Sequence, residues 1–260
     1  MINELINFDH TLFVNYMQDS YYIPISSISL YILFCYFGPI IMKNYTPFDL
    51  KYELTLWNGF LAIFSLLGAM NTLPYIFEQF DSLTYKDTIC INPKYVPTSN
   101  YSTWLDDSPG IWVFLFAISK IPELMDTVFI ILRKKPLIFL HWYHHGTILY
   151  TSWDAYANHI GSGLYFATMN YCIHTIMYSY YCARSMEICP KNFPSYIITV
   201  LQTIQMFVGA SICLTNWYYI ITDKSCYHNI NSLLCCTTIF ISYFYLFYSF
   251  GVKRYIKKQV

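Results

Sequence analysis

The chain has 260 residues, with 15 acidic and 15 basic side chains, so its net charge at neutral pH is zero. Hydrophobic residues make up 56% of it and charged residues only 12%, against roughly 25% charged in a soluble domain. That balance excludes a basic nucleic-acid surface and points to a lipid-embedded protein, whose 27 Tyr and 20 Phe suit aromatic belts.

In chain order, residues 1–20 carry no Lys or Arg and so lack the basic start of a secretory signal. A membrane helix needs about 20 mainly apolar residues. Seven segments qualify: 21–42, 54–77, 111–132, 136–156, 162–183, 194–221 and 230–252. The third, fourth and fifth contain charged or imidazole groups mid-span, which lowers their hydropathy. No internal repeat is visible, and 1–260 reads as a single all-α transmembrane domain.

Basic residues orient the spans. With a cytosolic C-terminus, the cytosolic segments hold Lys43, Lys51, Arg133, Lys134, Lys135, Arg184, Lys191, Lys253, Arg254, Lys257 and Lys258. The lumenal side holds only Lys86, Lys94 and Lys224. Positive charge concentrates on the cytosolic side of membrane proteins, so the N-terminus is expected in the lumen. The same topology puts loops 78–110 and 222–229 in the lumen, each with one cysteine, Cys90 and Cys226. An oxidising lumen lets this pair form a disulfide.

A charge at the bilayer centre costs roughly 2.5–3.5 kcal/mol on the insertion scale, so polar groups there must face protein or water. Lys120, Glu123, Asp126 and Thr127 fall on about one-third of the third helix. His141, His144 and His145, at i, i+3 and i+4, share one face of the fourth. On the fifth, Asn170, His174, Met177, Tyr178 and Tyr181 follow a one-face pattern. Thr199, Gln202 and Gln205 do so on the sixth. Each face alone has a structural reading: an internal ion pair, an aromatic packing stripe, or interhelical hydrogen bonds. Four consecutive polar faces are more economically one enclosed polar site with apolar walls.

The histidines admit a metal site, since helical His at such spacings can bind zinc or iron. A di-iron desaturase site needs about eight His as a family expectation, and this chain has seven, including the outlying His10 and His228. The other reading is covalent or acid–base catalysis by neutral imidazole. A seven-helix receptor or transporter is the non-enzymatic alternative.

Four motifs in order carry a family resemblance: Lys120-Ile-Pro-Glu123-Leu-Met-Asp126-Thr127, His141-Trp-Tyr-His144-His145, Asn170 to Tyr181, and Thr199-Val-Leu-Gln202-Thr-Ile-Gln205. They resemble the KxxExxDT, HxxHH, NxxxHxxMYxYY and TxxQxxQ motifs of the ELO family of fatty-acid elongases. The resemblance implies a seven-helix fold in which six helices form an inverted barrel around an acyl tunnel. It implies condensation of acyl-CoA with malonyl-CoA to 3-oxoacyl-CoA, CO2 and CoA, with no metal and no permanently bound cofactor. His144, His141, His145, His174 and Asn170 become the catalytic candidates. Lys120, Glu123, Asp126, Thr127, Met177, Tyr178, Tyr181, Gln202 and Gln205 become substrate-binding candidates, with Arg133, Lys134 and Lys135 placed to meet the CoA phosphates. The His-Trp-Tyr-His-His box looks more like members acting on saturated or monounsaturated chains. Expected partners are membrane lipids, the ketoreductase, dehydratase and enoyl reductase of the elongation cycle, and a second copy of the chain. Lys257 and Lys258, fourth and third from the end, look like a dilysine signal for retrieval to the endoplasmic reticulum.

Overall fold

A computed structural model of the chain describes residues 10–90, 104–105, 108–190, 192–223 and 226–256. The described residues are helical, with no strand among them. Lys191, Lys94, Lys224 and the Lys257-Lys258 signal lie outside the described residues.

The order is α1 (His10–Asp19), α2 (Tyr22–Met42), α3 (Lys51–Ser82), α4 (Tyr85–Cys90), α5 (Ser108–Ser119), α6 (Met125–Leu132), α7 (Phe139–Ala157), α8 (Gly163–Ser185), α9 (Tyr196–Thr222) and α10 (Ile230–Gly251). Four helical stretches are long and apolar enough to cross a membrane: Tyr22–Met42, Lys51–Asp81, Tyr196–Thr222 and Ile230–Ile256. These also carry large apolar side chains on the outside, among them Leu30, Ile63, Phe207 and Leu234. Exposed apolar surface on that scale marks a face covered by lipid or partner.

The segment 111–132 is not the continuous helix that its composition suggests. α5 ends at Ser119, a 3-10 turn covers Pro122–Leu124, and α6 begins at Met125. Pro122 has no N–H to donate and its ring crowds the carbonyl four residues back. Ile121 N–H therefore bonds to Ile118 O at 3.1 Å and Leu124 N–H to Ile121 O at 3.1 Å, both spaced three residues apart. Because of this break, Lys120, Glu123 and Asp126 do not share one straight helical stripe.

Packing depends on close approach at two glycines. A Cβ at Gly68 on α3 would lie 2.5 Å from the Tyr171 ring of α8, and one at Gly209 on α9 would lie 2.4 Å from the Phe240 ring of α10. Neither position admits a larger residue without moving the facing aromatic, as expected where small residues let helices meet. α7 is flanked by α1, α2, α5 and α10, which places the His-bearing helix inside the assembly.

A disulfide joins Cys90, at the end of α4, to Cys226, ahead of α10. Tyr227 N–H donates to Cys90 O at 2.9 Å, and Lys86 pairs with Asp223 beside it. The bridge closes 136 residues of sequence, a loop whose closure entropy amounts to about 5 kcal/mol in the chain-entropy model. Cys90→Ser is therefore expected to lower the thermal midpoint of detergent-solubilised protein by several degrees, and dithiothreitol should lower wild type equally without further affecting the variant. Equal midpoints before and after reduction of wild type would contradict this.

Candidate active site

The site is built from helices α3, α6, α7, α8, α9 and α10. On α7 the His141 and His145 rings lie 4.4 Å apart, one turn from each other. His144 stands 5.4 Å from His145 with its ring perpendicular, and packs on Tyr243 of α10 at 4.9 Å. His174 of α8 faces them across a cavity of about 180 Å³. All four imidazoles line it, with Asp126, Asn170, Met177, Tyr178, Tyr181, Gln202 and Gln205. The structure thus brings together residues from the third to sixth segments in one chamber, closed on the α10 side by Phe247 and Phe250.

Two of the imidazoles are fixed from behind. Lys120 Nζ bonds to Glu123 Oε1 at 2.6 Å and to Asn170 Oδ1 at 3.2 Å. An ammonium can only donate, so the Asn170 oxygen faces Lys120 and its NH2 faces His174. That NH2 lies 3.1 Å from His174 Nε2, which must accept, placing the His174 proton on Nδ1. On the other side, His141 Nε2 meets Thr127 Oγ1 at 2.9 Å, and Thr127 meets the Tyr31 hydroxyl at 2.9 Å. Lys120, Glu123 and Thr127 are absent from the chamber lining: they act one layer behind it, on Asn170 and His141. Neither ring nitrogen of His144 or His145 has a protein hydrogen-bond partner among the described residues.

Asp126 departs from the Lys120–Glu123 pair. Its carboxylate accepts from Trp57 Nε1 at 2.6 Å and from the Tyr178 hydroxyl at 2.8 Å, tying α3 and α8 to α6. Gln202 donates to Met177 Sδ at 3.2 Å.

Two further cavities adjoin the chamber. One, of about 600 Å³, shares Asp126, His141, Tyr178 and Tyr181 with it. Arg133, Lys135, Lys51 and Arg184 line it together with Asp49, Asp126 and Glu187, so it is a charged vestibule of mixed sign. Lys51 pairs with Glu187 at 2.7 Å, and holds that carboxyl below the usual carboxylate range. Lys134 does not join this lining. It adopts a left-handed φ of 53° where α6 ends, and its ammonium turns to Lys43 O at 3.3 Å. The other cavity, narrow at about 50 Å³, is mostly apolar and shares His144, Asn170, Gln205 and Met206 with the chamber. It runs between Val113, Phe116, Ile148, Phe166 and Phe240. His144 is the one imidazole common to the chamber and the apolar cavity. Among the described residues, no three His, Cys, Asp or Glu side chains are grouped to hold a metal ion.

The profile of the ELO family, described as the GNS1/SUR4 family, matches residues 16–260. The chain belongs to the ELO family. It is 38% identical over 229 residues to very long chain fatty acid elongase 6 of Drosophila melanogaster, covering 87% of this chain and 70% of that protein. It is 35% identical over 248 residues to very long chain fatty acid elongase 6 of Gallus gallus, covering 94% and 89%. Fatty acid elongase 3 of Trypanosoma cruzi is 36% identical over 263 residues, covering 93% of this chain and 87% of that protein.

Several residues of this ELO site carry no sequence signal. Trp57 lies 69 residues from Asp126, and Tyr31 lies 96 from Thr127. Tyr243, which donates to His144 O at 3.2 Å, is 99 residues away. All three sit in aromatic-rich spans where nothing local separates a hydrogen-bonding ring from a lipid-facing one. Arg184 and Lys51 were legible only as topology charges.

Proposed function

We propose that this ELO protein is a fatty-acid elongase that condenses acyl-CoA with malonyl-CoA to give 3-oxoacyl-CoA, CO2 and CoA. The observation that carries the reading is the series of three adjoining cavities: a charged vestibule that includes Arg133, Lys135 and Arg184, an imidazole chamber and an apolar pocket, with His144 at the last junction. Basic groups suit CoA phosphates, the apolar pocket suits the acyl chain, and the thioester then falls among the imidazoles.

In the mechanism we favour, the free His144 nitrogen attacks the thioester carbonyl. The CoA thiolate leaves and an acyl-imidazole remains. Malonyl-CoA loses CO2 to give an enolate, whose carbon attacks the acyl carbonyl. The new C–C bond releases His144. His174, with its proton on Nδ1, and Asn170 border the carbonyl that carries charge in both steps, in the manner of an oxyanion hole. His141 and His145 position malonate.

The same reading takes 1–260 as one domain of seven spans, with α5 and α6 as one broken span and α7 and α8 as the next two. Six of the spans form the inverted barrel. The low hydropathy of the middle spans is what an enclosed polar site demands. The N-terminus faces the lumen of the endoplasmic reticulum and the C-terminus the cytosol, which puts the vestibule on the side where CoA is found.

The test is incubation of purified protein with labelled malonyl-CoA across acyl-CoAs of graded length, followed by intact-protein mass spectrometry after acyl-CoA alone. Expected are labelled 3-oxoacyl-CoA, undiminished by chelators, and an acyl adduct on His144. Product without adduct would replace the covalent route by direct condensation. No labelled 3-oxoacyl-CoA, with iron-dependent removal of hydrogen from the acyl chain instead, would favour the desaturase-like alternative.

A further inference from the structure

The charge around the imidazole chamber is one-sided. Among its described lining residues, Asp126 is the only Asp, Glu, Lys or Arg. The cations nearby are engaged elsewhere. Lys120 is held by Glu123 and by Asn170 Oδ1, behind the lining. Arg133, Lys135, Lys51 and Arg184 line the vestibule and not the chamber. Asp126 makes no ion pair among the described residues. Both of its oxygens accept, one from Trp57 Nε1 and one from the Tyr178 hydroxyl, as the oxygens of an ionised carboxylate do.

Its position is at a neck. Asp126, His141, Tyr178 and Tyr181 line both the vestibule and the chamber. With CoA in the vestibule and the thioester among the imidazoles, a malonyl group carries its carboxylate only two bonds beyond the thioester carbon. That anion lies close to the neck, in a chamber whose one charged lining residue has its own sign. A fatty acyl group brings no charge to the same place.

Resting on the elongase reading, we propose that Asp126 promotes the loss of CO2 from malonyl-CoA by charge repulsion. The bond between Cα and the carboxylate carbon breaks, its electron pair stays on Cα and spreads onto the thioester oxygen as an enolate, and CO2 leaves uncharged. Negative charge thus moves off the carboxylate and onto the oxygen bordered by Asn170 and His174. The repulsion acts on bound malonyl and is relieved as the bond breaks, so it raises the ground state more than the transition state. Outside bulk water, like charges interact strongly enough to matter.

The experiment uses Asp126→Asn, which keeps an acceptor for Trp57 and lets the Tyr178 hydroxyl turn to accept from the amide. KM is measured for malonyl-CoA and for acyl-CoA separately, and labelled CO2 release in a single turnover reads the step itself. The expected result is a malonyl-CoA KM lowered about 3- to 10-fold and CO2 release slowed by a similar factor, the pattern of lost ground-state strain. The KM for acyl-CoA stays as in wild type. Asp126→Glu, which keeps the charge, does not lower the malonyl-CoA KM. A malonyl-CoA KM unchanged or raised in Asp126→Asn overturns the proposal, and is the outcome expected if Asp126 only ties α3 and α8 to α6. Should that variant not fold, wild type decides: an analogue of malonyl-CoA ending in a carboxamide binds more tightly than malonyl-CoA itself, and equal or weaker binding overturns the proposal. A wild type that condenses nothing would sink the elongase reading. One that condenses malonyl-CoA without this preference would sink only the role of Asp126.

Discussion

His144→Ala is expected to lower malonyl-CoA-dependent condensation by at least about 10³-fold, the range seen when a nucleophile or general base is removed, while the protein stays folded. The fold survives because the His144 ring has no protein hydrogen-bond partner among the described residues. It contributes packing on Tyr243 and Phe247, and the loss is a cavity open on two sides. His141 lines the same chamber, but its Nε2 is engaged with Thr127. His141→Ala thus removes a positioned neighbour and leaves the free nitrogen at the junction, so the smaller loss belongs to it. Rates of both variants, with thermal midpoints as a folding control, decide the point. Equal losses for the two would mean that the imidazoles act as one unit, and a His144→Ala protein retaining a tenth of its activity would remove His144 from the chemistry.

Histidine spacing made the chamber legible because the helical repeat forces i, i+3 and i+4 onto one face, whatever the helix packs against. The pattern from Asn170 to Tyr181 was readable for the same reason. What failed to appear in the sequence was the partition of the third polar face. Counting 100° per residue puts Lys120, Glu123 and Asp126 together, but Pro122 interrupts the hydrogen-bond ladder and turns Asp126 toward Trp57 and Tyr178. The proline stood in the sequence, and its consequence needed the 3-10 geometry. The basic triplet divided for a related reason: Lys134 takes the left-handed turn that ends α6, a choice that no side-chain pattern announces. Helices α1 and α4 were absent from a reading based on hydropathy because neither is long enough to span a membrane.

Lys120→Met separates a structural role of the buried ion pair from a role in the chemistry. Lys120 and Glu123 are 2% and 3% exposed, at 2.6 Å, and the ammonium also lies 4.3 Å from the Phe116 ring centroid. Removing one member of such a pair leaves an uncompensated buried charge, at a cost of about 3–5 kcal/mol. Glu123 is ill placed to bear it, since its Oε2 already has no partner among the described residues. The single variant should therefore unfold at markedly lower temperature. Adding Glu123→Gln removes the stranded charge and should restore most of the lost stability, because replacing both members of a buried pair is often near neutral. Activity should not follow. Without Lys120, nothing requires the Asn170 oxygen to face away from His174, and a flipped amide would present His174 Nε2 with an acceptor instead of a donor. The other tautomer would then be favoured, with its proton directed at Asn170. The double variant should bind acyl-CoA with an unaltered KM and show kcat reduced by about tenfold or more, the scale of one misdirected hydrogen bond in a transition state. Full recovery of kcat together with stability would confine Lys120 to holding the helices, and the chain from Lys120 through Asn170 to His174 would have no part in catalysis.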